Sequence, residues 1–304
     1  MESNDKIVVL DLSNRGKIEV KGEDAQDFLQ NISSNDVRSS PGKSVKSAFL
    51  DKFGKLIGIT YIHKPKNEYE FILDADVLAT PKIVQYLQEQ SKLTKSVAEN
   101  ITYKQGIIHI SGNKVDYLID ELESKIDMKE LIVSRNDRFA KTEDPSRGYD
   151  IFVPVLKIKN VFEAIMSSPF KPVFIKPEDY EALRILKGIP EAGKDYDDEY
   201  TVMEVGTDDC VSYNKGCFVG QEIVARMKSY GGQIPQKIVK LQSEKKIERG
   251  VRIYKNAEKK IEVGKVTSMI EYQGKYFYIA TVKKPFYKTG EEVEDIMGKK
   301  LKVI

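Results

Sequence analysis

The densest chemistry in the sequence is Asn214-Lys215-Gly216-Cys217-Phe218-Val219-Gly220-Gln221-Glu222. Two glycines bracket a cysteine, and the stretch runs into Ile223-Val224-Ala225-Arg226-Met227, which can start a helix that carries Arg226 outward. Gly216 and Gly220 permit backbone conformations and close approaches that a side chain forbids, while Gln221 and Glu222 put hydrogen-bonding groups at the helix start. Lys215 and the partial positive charge of a helix N-terminus both favour the thiolate, which is the nucleophile and the metal ligand. Two readings of Cys217 stand side by side: a presented, reactive thiol, or a small hydrophobe packed in a tight turn.

Other reactive types are sparse. Cys210 and Cys217 cannot supply a disulfide framework, and there is no Cys-x-x-Cys pair or histidine cluster, so no metal site is expected. His63 and His109 stand alone in the sequence and read as exposed or core-satisfied. Lys plus Arg total 49 against 47 for Asp plus Glu, a net charge of +2, which gives no field that argues for nucleic acid or acidic membrane and favours a small-molecule ligand. The first residues are polar and the longest apolar runs are too short to span a bilayer, so a cytoplasmic protein in a reducing compartment is expected.

The 304 residues, 40% of them hydrophobic, suffice for two or three domains with ordinary cores. Lys6 to Leu12 and Lys17 to Lys21 read as strands joined in a hairpin by Ser13-Asn14-Arg15-Gly16. Gly22-Glu23-Asp24 then opens a helix with Ala25, Phe28, Leu29 and Ile32 on one face. The same strand, glycine and helix recur at Ile108 to Gly112, with Val115, Leu118, Ile119 and Leu122 in the matching places, which predicts two halves of a pseudo-symmetric α+β domain.

Between the halves, Val45 to Leu50, Leu56 to Ile62 and Tyr69 to Leu73 read as strands, and Thr80-Pro81 starts a helix, so residues 45–102 are expected as an inserted ferredoxin-like α+β unit. Later come a strand near Tyr149 to Val153, a helix from Val161 to Met166, and a helix from Pro177 whose core side is Leu183, Ile185 and Leu186, stopped at Gly188. From Gln236 onward, strands at Ile238 to Leu241, Ile261 to Ile270, Tyr276 to Val282 and Leu301 to Ile304 suggest a small antiparallel barrel beyond a boundary at Gly231 to Pro235. The expected domains are thus 1–44 plus 103–232, 45–102, and 236–304.

Lys215 to Glu222 resembles the K-G-C-[FY]-x-G-Q-E signature of the YgfZ-type folate-binding proteins, a branch of the superfamily that includes the aminomethyltransferase, or T-protein, of the glycine cleavage system. The likeness extends to Gly22 to Gln30, Asn35-Asp36-Val37, Asp51 to Lys55 and Arg184 to Pro190. It implies an α+β fold of three domains, tetrahydrofolate or a one-carbon derivative as ligand, and a part in maturation or repair of iron-sulfur proteins, with iron-sulfur client or assembly proteins as partners and a monomeric chain. It also implies Cys217 as the chemically active residue, and a folate site drawing on Glu204, Lys215, Gly216, Gly220, Gln221, Glu222 and Arg226. Glu204 of Thr201-Val202-Met203-Glu204 resembles the pterin-binding glutamate of the transferases' T-P-x-E segment, with Val202 where proline is usual. Arg226 would grip the glutamyl carboxylate of folate or a neighbouring acid.

The competing activity is aminomethyl transfer. In those transferases the strand after the Gly-Gly turn carries an aspartate facing the reacting nitrogen of tetrahydrofolate, whereas Gly54 to Ile62 contains no carboxylate here. That absence argues against transferase chemistry, because a charged group is needed to orient the amine and assist proton movement. A scaffold in which the signature only shapes a turn is the third reading.

Overall fold

The structure, a computed structural model, describes residues 6–38, 42–64, 68–139, 147–229, 234–259 and 261–304. By contact the chain divides into two units, Met1–Ser47 with Ile59–Pro177, and Ala48–Gly58 with Glu178–Ile304. The elements up to residue 175 are β1 (Val8–Asp11), β2 (Gly16–Gly22), α1 (Ala25–Ile32), β3 (Val45–Leu50), β4 (Leu56–His63), β5 (Glu70–Ala75), α2 (Thr80–Gln90), β6 (Ser96–Asn100), β7 (Gln105–Gly112), α3 (Val115–Lys125), β8 (Ile132–Arg135), β9 (Arg147–Pro154), α4 (Ile158–Met166) and β10 (Val173–Ile175).

Apolar spacing fixes the two repeated helices as read. Ala25, Phe28, Leu29 and Ile32 of α1 are buried, and so are Val115, Leu118, Ile119 and Leu122 of α3. The glycines that precede them have a shared cause. A Cβ on Gly22 would stand 2.2 Å from the carbonyl oxygen of Lys95, and one on Gly112 would stand 2.7 Å from that of Lys6, because a neighbouring strand passes close in each half.

The expected hairpin of the first two strands does not form. β1 joins a sheet of order β10-β1-β7-β9-β8, while β2 joins one of order β3-β4-β5-β2-β6. The connecting turn closes locally, with Arg15 N–H donating to the Leu12 carbonyl at 3.0 Å, but β1 takes β7 as partner and β2 takes β5 and β6. The strands of 45–102 likewise form no sheet of their own: β2, from outside that segment, lies between β5 and β6.

The remaining elements are α5 (Pro177–Lys187), α6 (Val202–Val205), α7 (Gln221–Ser229), β11 (Gln236–Ser243), β12 (Arg252–Asn256), β13 (Ile261–Tyr272), β14 (Lys275–Lys283), β15 (Glu292–Glu294) and β16 (Lys300–Val303). The strands close into a six-stranded barrel of order β11-β14-β13-β12-β15-β16 around Leu241, Ile253, Val266, Tyr278 and Val303. The sequence reading anticipated this barrel without β12 and β15. In α5 the buried side is Arg184 and Ile185, with Leu183 and Leu186 only partly covered. The Arg184 guanidinium reaches Asp195 at 2.7 Å, Glu181 at 2.7 Å and Ser268 of β13 at 2.9 Å, so a charged group ties α5 to the barrel. Of the boundary read at Gly231 to Pro235, residues 231–233 lie outside the described residues, and Ile234 is buried. Among the described residues no helix is long and apolar enough to cross a membrane.

Candidate functional site

The signature is a loop leading into α7. Cys217 is exposed, as are Gly216, Glu222 and Arg226, while Lys215, Gly220 and Gln221 are half-buried. The loop is shaped by the helix it enters, since the Phe218 N–H donates to Gln221 Oε1 at 3.1 Å. Lys215 Nζ lies 5.5 Å from the centre of the Phe218 ring. Nothing lies within 4 Å of a Cβ built on Gly216, whereas Gly220 has φ +81° and its Cβ would stand 2.7 Å from the Asp51 carbonyl oxygen. Only Gly220 is thus demanded by geometry.

What Gly220 touches is the β3–β4 turn. Asp51 Oδ1 accepts from the N–H groups of Phe53 at 2.8 Å and Lys55 at 2.9 Å, and Gly54 takes φ +74°. A Cβ on Gly54 would stand 2.8 Å from Ile223 Cβ, so α7 packs on this turn as closely as bare backbone permits. The same turn meets the segment before α6: Lys55 bridges Thr201, and the Leu56 N–H donates to the Tyr200 carbonyl at 2.9 Å. Turn, α6 and the signature loop with α7 are thereby assembled from three stretches far apart in sequence.

Glu204 is buried and closes a capping box on α6. Its Oε2 accepts from the Thr201 N–H at 2.8 Å and the Thr201 hydroxyl at 3.0 Å, and its own N–H donates to Thr201 Oγ1 at 3.3 Å. Oε1 has no protein partner among the described residues. The carboxylate can therefore accept one N–H from a ligand on Oε1 while Oε2 stays with the cap.

A second constellation, missed in the sequence, lies in the first unit. His63 of β4 and His109 of β7 are fully buried, the first 2.8 Å from Asp74 of β5 through Nε2, the second 2.8 Å from Asp150 of β9 through Nδ1. One guanidinium joins them: Arg138 donates through Nη2 to Asp74 Oδ2 at 2.8 Å and to Asp150 Oδ2, and through Nη1 to Asp74 Oδ1 at 3.1 Å. Arg15 adds a further bond to Asp74, Asn136 donates to Asp150 at 2.5 Å, and Arg138 stacks 4.3 Å from the Tyr61 ring centre.

The electrostatics follow from burial and the neighbouring charges. Burial alone would raise both carboxyls, but Arg138 and Arg15 hold Asp74 well below the ordinary range, and Arg138 with His109 holds Asp150 at about 2. Burial lowers His109, against the pull of Asp150; burial also works against the charge on Arg138, but Asp150 and Asp74 more than offset it and keep the guanidinium charged. Lys17, opposite Asp74 on β2 and fully covered, is pushed down to about 8 by burial, partly offset by Asp74 and Asp11. His63, Asp74 and Asp150 place ligand-type atoms within 4.8 Å of one another, but the guanidinium stands between the two carboxylates in the place of a cation. The signal available in sequence was an acid inside each of two apolar strands, Phe71-Ile72-Leu73-Asp74 and Asp150-Ile151-Phe152-Val153.

Against known proteins, residues 2–134 match the GCVT N-terminal domain. A chloroplast protein of Arabidopsis thaliana named as a transferase is 27% identical over 313 residues, which take in 96% of this chain and 69% of that protein. The aminomethyltransferase of Thermoanaerobacter sp. (strain X514) is 26% identical over 250 residues, 76% of this chain and just under two thirds, 66%, of its own length. That of Listeria monocytogenes serotype 4b (strain CLIP80459) is 25% identical over 320 residues, 97% and 83% of the two chains. The crystal structure of glycine cleavage system aminomethyltransferase T from Bartonella henselae superposes with a TM-score of 0.81 at 17% identity, covering 98% of this chain and 85% of that one. The fold is that of aminomethyltransferase T.

Proposed function

We propose that the chain binds tetrahydrofolate or a one-carbon derivative and acts, as a YgfZ-type protein, in maturation or repair of iron-sulfur proteins, with Cys217 as its reactive group. The observation that carries this reading is the exposed Cys217 on a loop held by the Gln221 side chain and by the contact of Gly220 with the β3–β4 turn. Tetrahydrofolate, when bound, supplies a carrier of one-carbon units. Glu204 would accept a single pterin N–H on Oε1, and Arg226, exposed and without a carboxylate partner among the described residues, would hold the glutamyl carboxylate. Lys215, Gly216, Gln221 and Glu222 shape and flank the loop that presents the thiol.

Calorimetric titration with tetrahydrofolate and a formyl derivative tests the ligand, the chain having no Trp to report binding. Saturable one-to-one binding that weakens in Glu204→Gln and Arg226→Ala is expected, and no binding at millimolar ligand removes the folate reading. Replacing Cys217 by Ala in a complementation assay separates chemistry from scaffold, since a scaffold keeps full function.

The second reading, an aminomethyltransferase, is favoured by the relatives that bear that name. Against it, the stretch from Gly54 to Ile62 has no carboxylate, and Asp51 at the turn is committed to the Phe53 and Lys55 N–H groups. Turnover with a lipoyl carrier would establish it.

A further inference from the structure

Glu204 can meet a ligand only where its cap puts it, and the cap hangs from a turn some 150 residues earlier in the chain. Thr201 holds Glu204 Oε2 through its N–H and its hydroxyl. Thr201 is in turn placed by the start of β4. Lys55 bridges it in antiparallel fashion, the Leu56 N–H donates to the Tyr200 carbonyl at 2.9 Å, and Lys55 Nζ donates to the Glu199 carbonyl. All three contacts depend on where residues 55 and 56 leave the β3–β4 turn.

One carboxylate sets that exit. Asp51 Oδ1 accepts from the Lys55 N–H at 2.9 Å and the Phe53 N–H at 2.8 Å, while the Asp51 N–H donates to the Lys55 carbonyl at 2.9 Å. With Gly54 at φ +74°, these bonds give the turn one shape and send Lys55 into β4 in one register. Asp51 Oδ2 has no partner among the described residues, so the side chain serves the turn as a hydrogen-bond acceptor and forms no ion pair there. The same turn backs the signature, since a Cβ on Gly220 would strike the Asp51 carbonyl oxygen at 2.7 Å and one on Gly54 would strike Ile223 at 2.8 Å.

We propose that Asp51 is a positioning residue of the folate site: without touching the ligand it fixes, through Lys55 and Leu56, where Glu204 presents Oε1, and it keeps that place in step with the loop that carries Cys217. This role rests on the folate reading above. The Glu199 to Thr201 segment has a second anchor in the barrel, where the Tyr200 hydroxyl and Thr281 Oγ1 of β14 lie 2.8 Å apart. A change at the turn therefore shifts Glu204 while the segment stays attached.

Two substitutions separate the acceptor from the charge. Asp51→Ala removes both, and Asp51→Asn keeps an oxygen that can hold the same two N–H groups. In calorimetric titration, tetrahydrofolate should bind Asp51→Ala about tenfold more weakly than the parent chain and Asp51→Asn within about twofold of it. Amide hydrogen exchange without ligand reads the same placement. Leu56 and Thr201 are buried, and in Asp51→Ala their N–H groups should exchange about tenfold faster while those of β13 and β14 keep the parent rates; in Asp51→Asn all should stay near the parent.

Asparagine binding as weakly as alanine would mean that the carboxylate charge acts on the ligand itself, and overturns the proposal. So does unchanged affinity in Asp51→Ala, and so does exchange that quickens equally in the barrel strands, which would make Asp51 a residue of general stability. If the parent chain binds no tetrahydrofolate, the folate reading falls by itself, and the exchange rates of Leu56 and Thr201 still decide whether Asp51 places the Glu204 cap.

Discussion

Gly54 and Gly220 meet backbone to backbone, a Cβ built on Gly220 standing 3.2 Å from the Cα of Gly54 and 2.7 Å from the Asp51 carbonyl oxygen. Gly220→Ala should therefore cost about 2–4 kcal/mol, from the strain of φ +81° and displaced backbone. Gly216→Ala, with open space around it, should stay within about 0.5 kcal/mol. Urea denaturation of the two variants checks the pair, and equal midpoints would remove the close contact as the reason for Gly220.

Arg138 is the shared counter-ion of two buried aspartates. Arg138→Met leaves Asp74 and Asp150 facing each other without it and should destabilise the chain by about 3–5 kcal/mol, whereas Arg226→Ala, on the surface, should cost less than about 0.5 kcal/mol. Thermal unfolding of both distinguishes them.

Stability should fall with acid in two stages. His109 is held below its ordinary 6.5 by burial, so below that pH the unfolded chain takes up a proton that the folded chain refuses, and stability declines. Asp150, held at about 2 against an ordinary 3.8, contributes stability that is present above 3.8 and lost as pH falls toward 2, and Asp74 acts in the same sense. Midpoints of thermal unfolding recorded from pH 8 to 3 should slope downward on this schedule, and His109→Gln should remove the upper stage.

Lys17 has the opposite limb. Its folded value of about 8 lies below the ordinary 10.5, so the unfolded chain binds more protons between those values and stability rises with pH across them. Relative to Lys17→Met, the parent chain should gain on the order of 1 kcal/mol over that range, read by urea unfolding at each pH.

Glu204→Gln retains an oxygen that can accept from Thr201 and so keeps most of the cap, while weakening any charge-assisted bond to a pterin N–H. The expected result is a loss of about tenfold in tetrahydrofolate affinity with little change in melting, whereas Glu204→Ala should lose affinity and about 1 kcal/mol together. Calorimetry and thermal unfolding of the same two variants separate the roles.

Much of the fold was legible because its determinants are local. The spacing of Phe28, Leu29 and Ile32, repeated at Leu118, Ile119 and Leu122, marks two helices whatever they pack on. Strand pairing was less legible: Ser13 to Gly16 carry good turn residues, yet β1 and β2 find long-range partners in different sheets, and turn chemistry does not encode that. At the signature the sequence left open whether Cys217 is presented or packed and did not separate Gly216 from Gly220, because the β3–β4 turn that explains Gly220 lies far away in the chain. His63 and His109 read as isolated because Asp74, Asp150 and Arg138 come from other strands and a loop. Arg184 sat unnoticed among the core positions of α5, its burial made possible by Asp195 and Ser268 from other segments.

The single guanidinium on two aspartates also limits how far the two repeats can be exchanged for one another. Asp74 and Asp150 occupy corresponding strands, β5 beside β2 and β9 beside β7, but Arg138 follows β8 alone, and the β4–β5 connection, Lys64 to Tyr69, contains no arginine. A chimera carrying two copies of the first half would bring together two acids with no cation from either copy of that connection. A chimera carrying two copies of the second half would bring two guanidiniums to one place. Two copies of the first half would still carry Arg15 on each Asp74, so what such a chimera loses is the one guanidinium that both acids share.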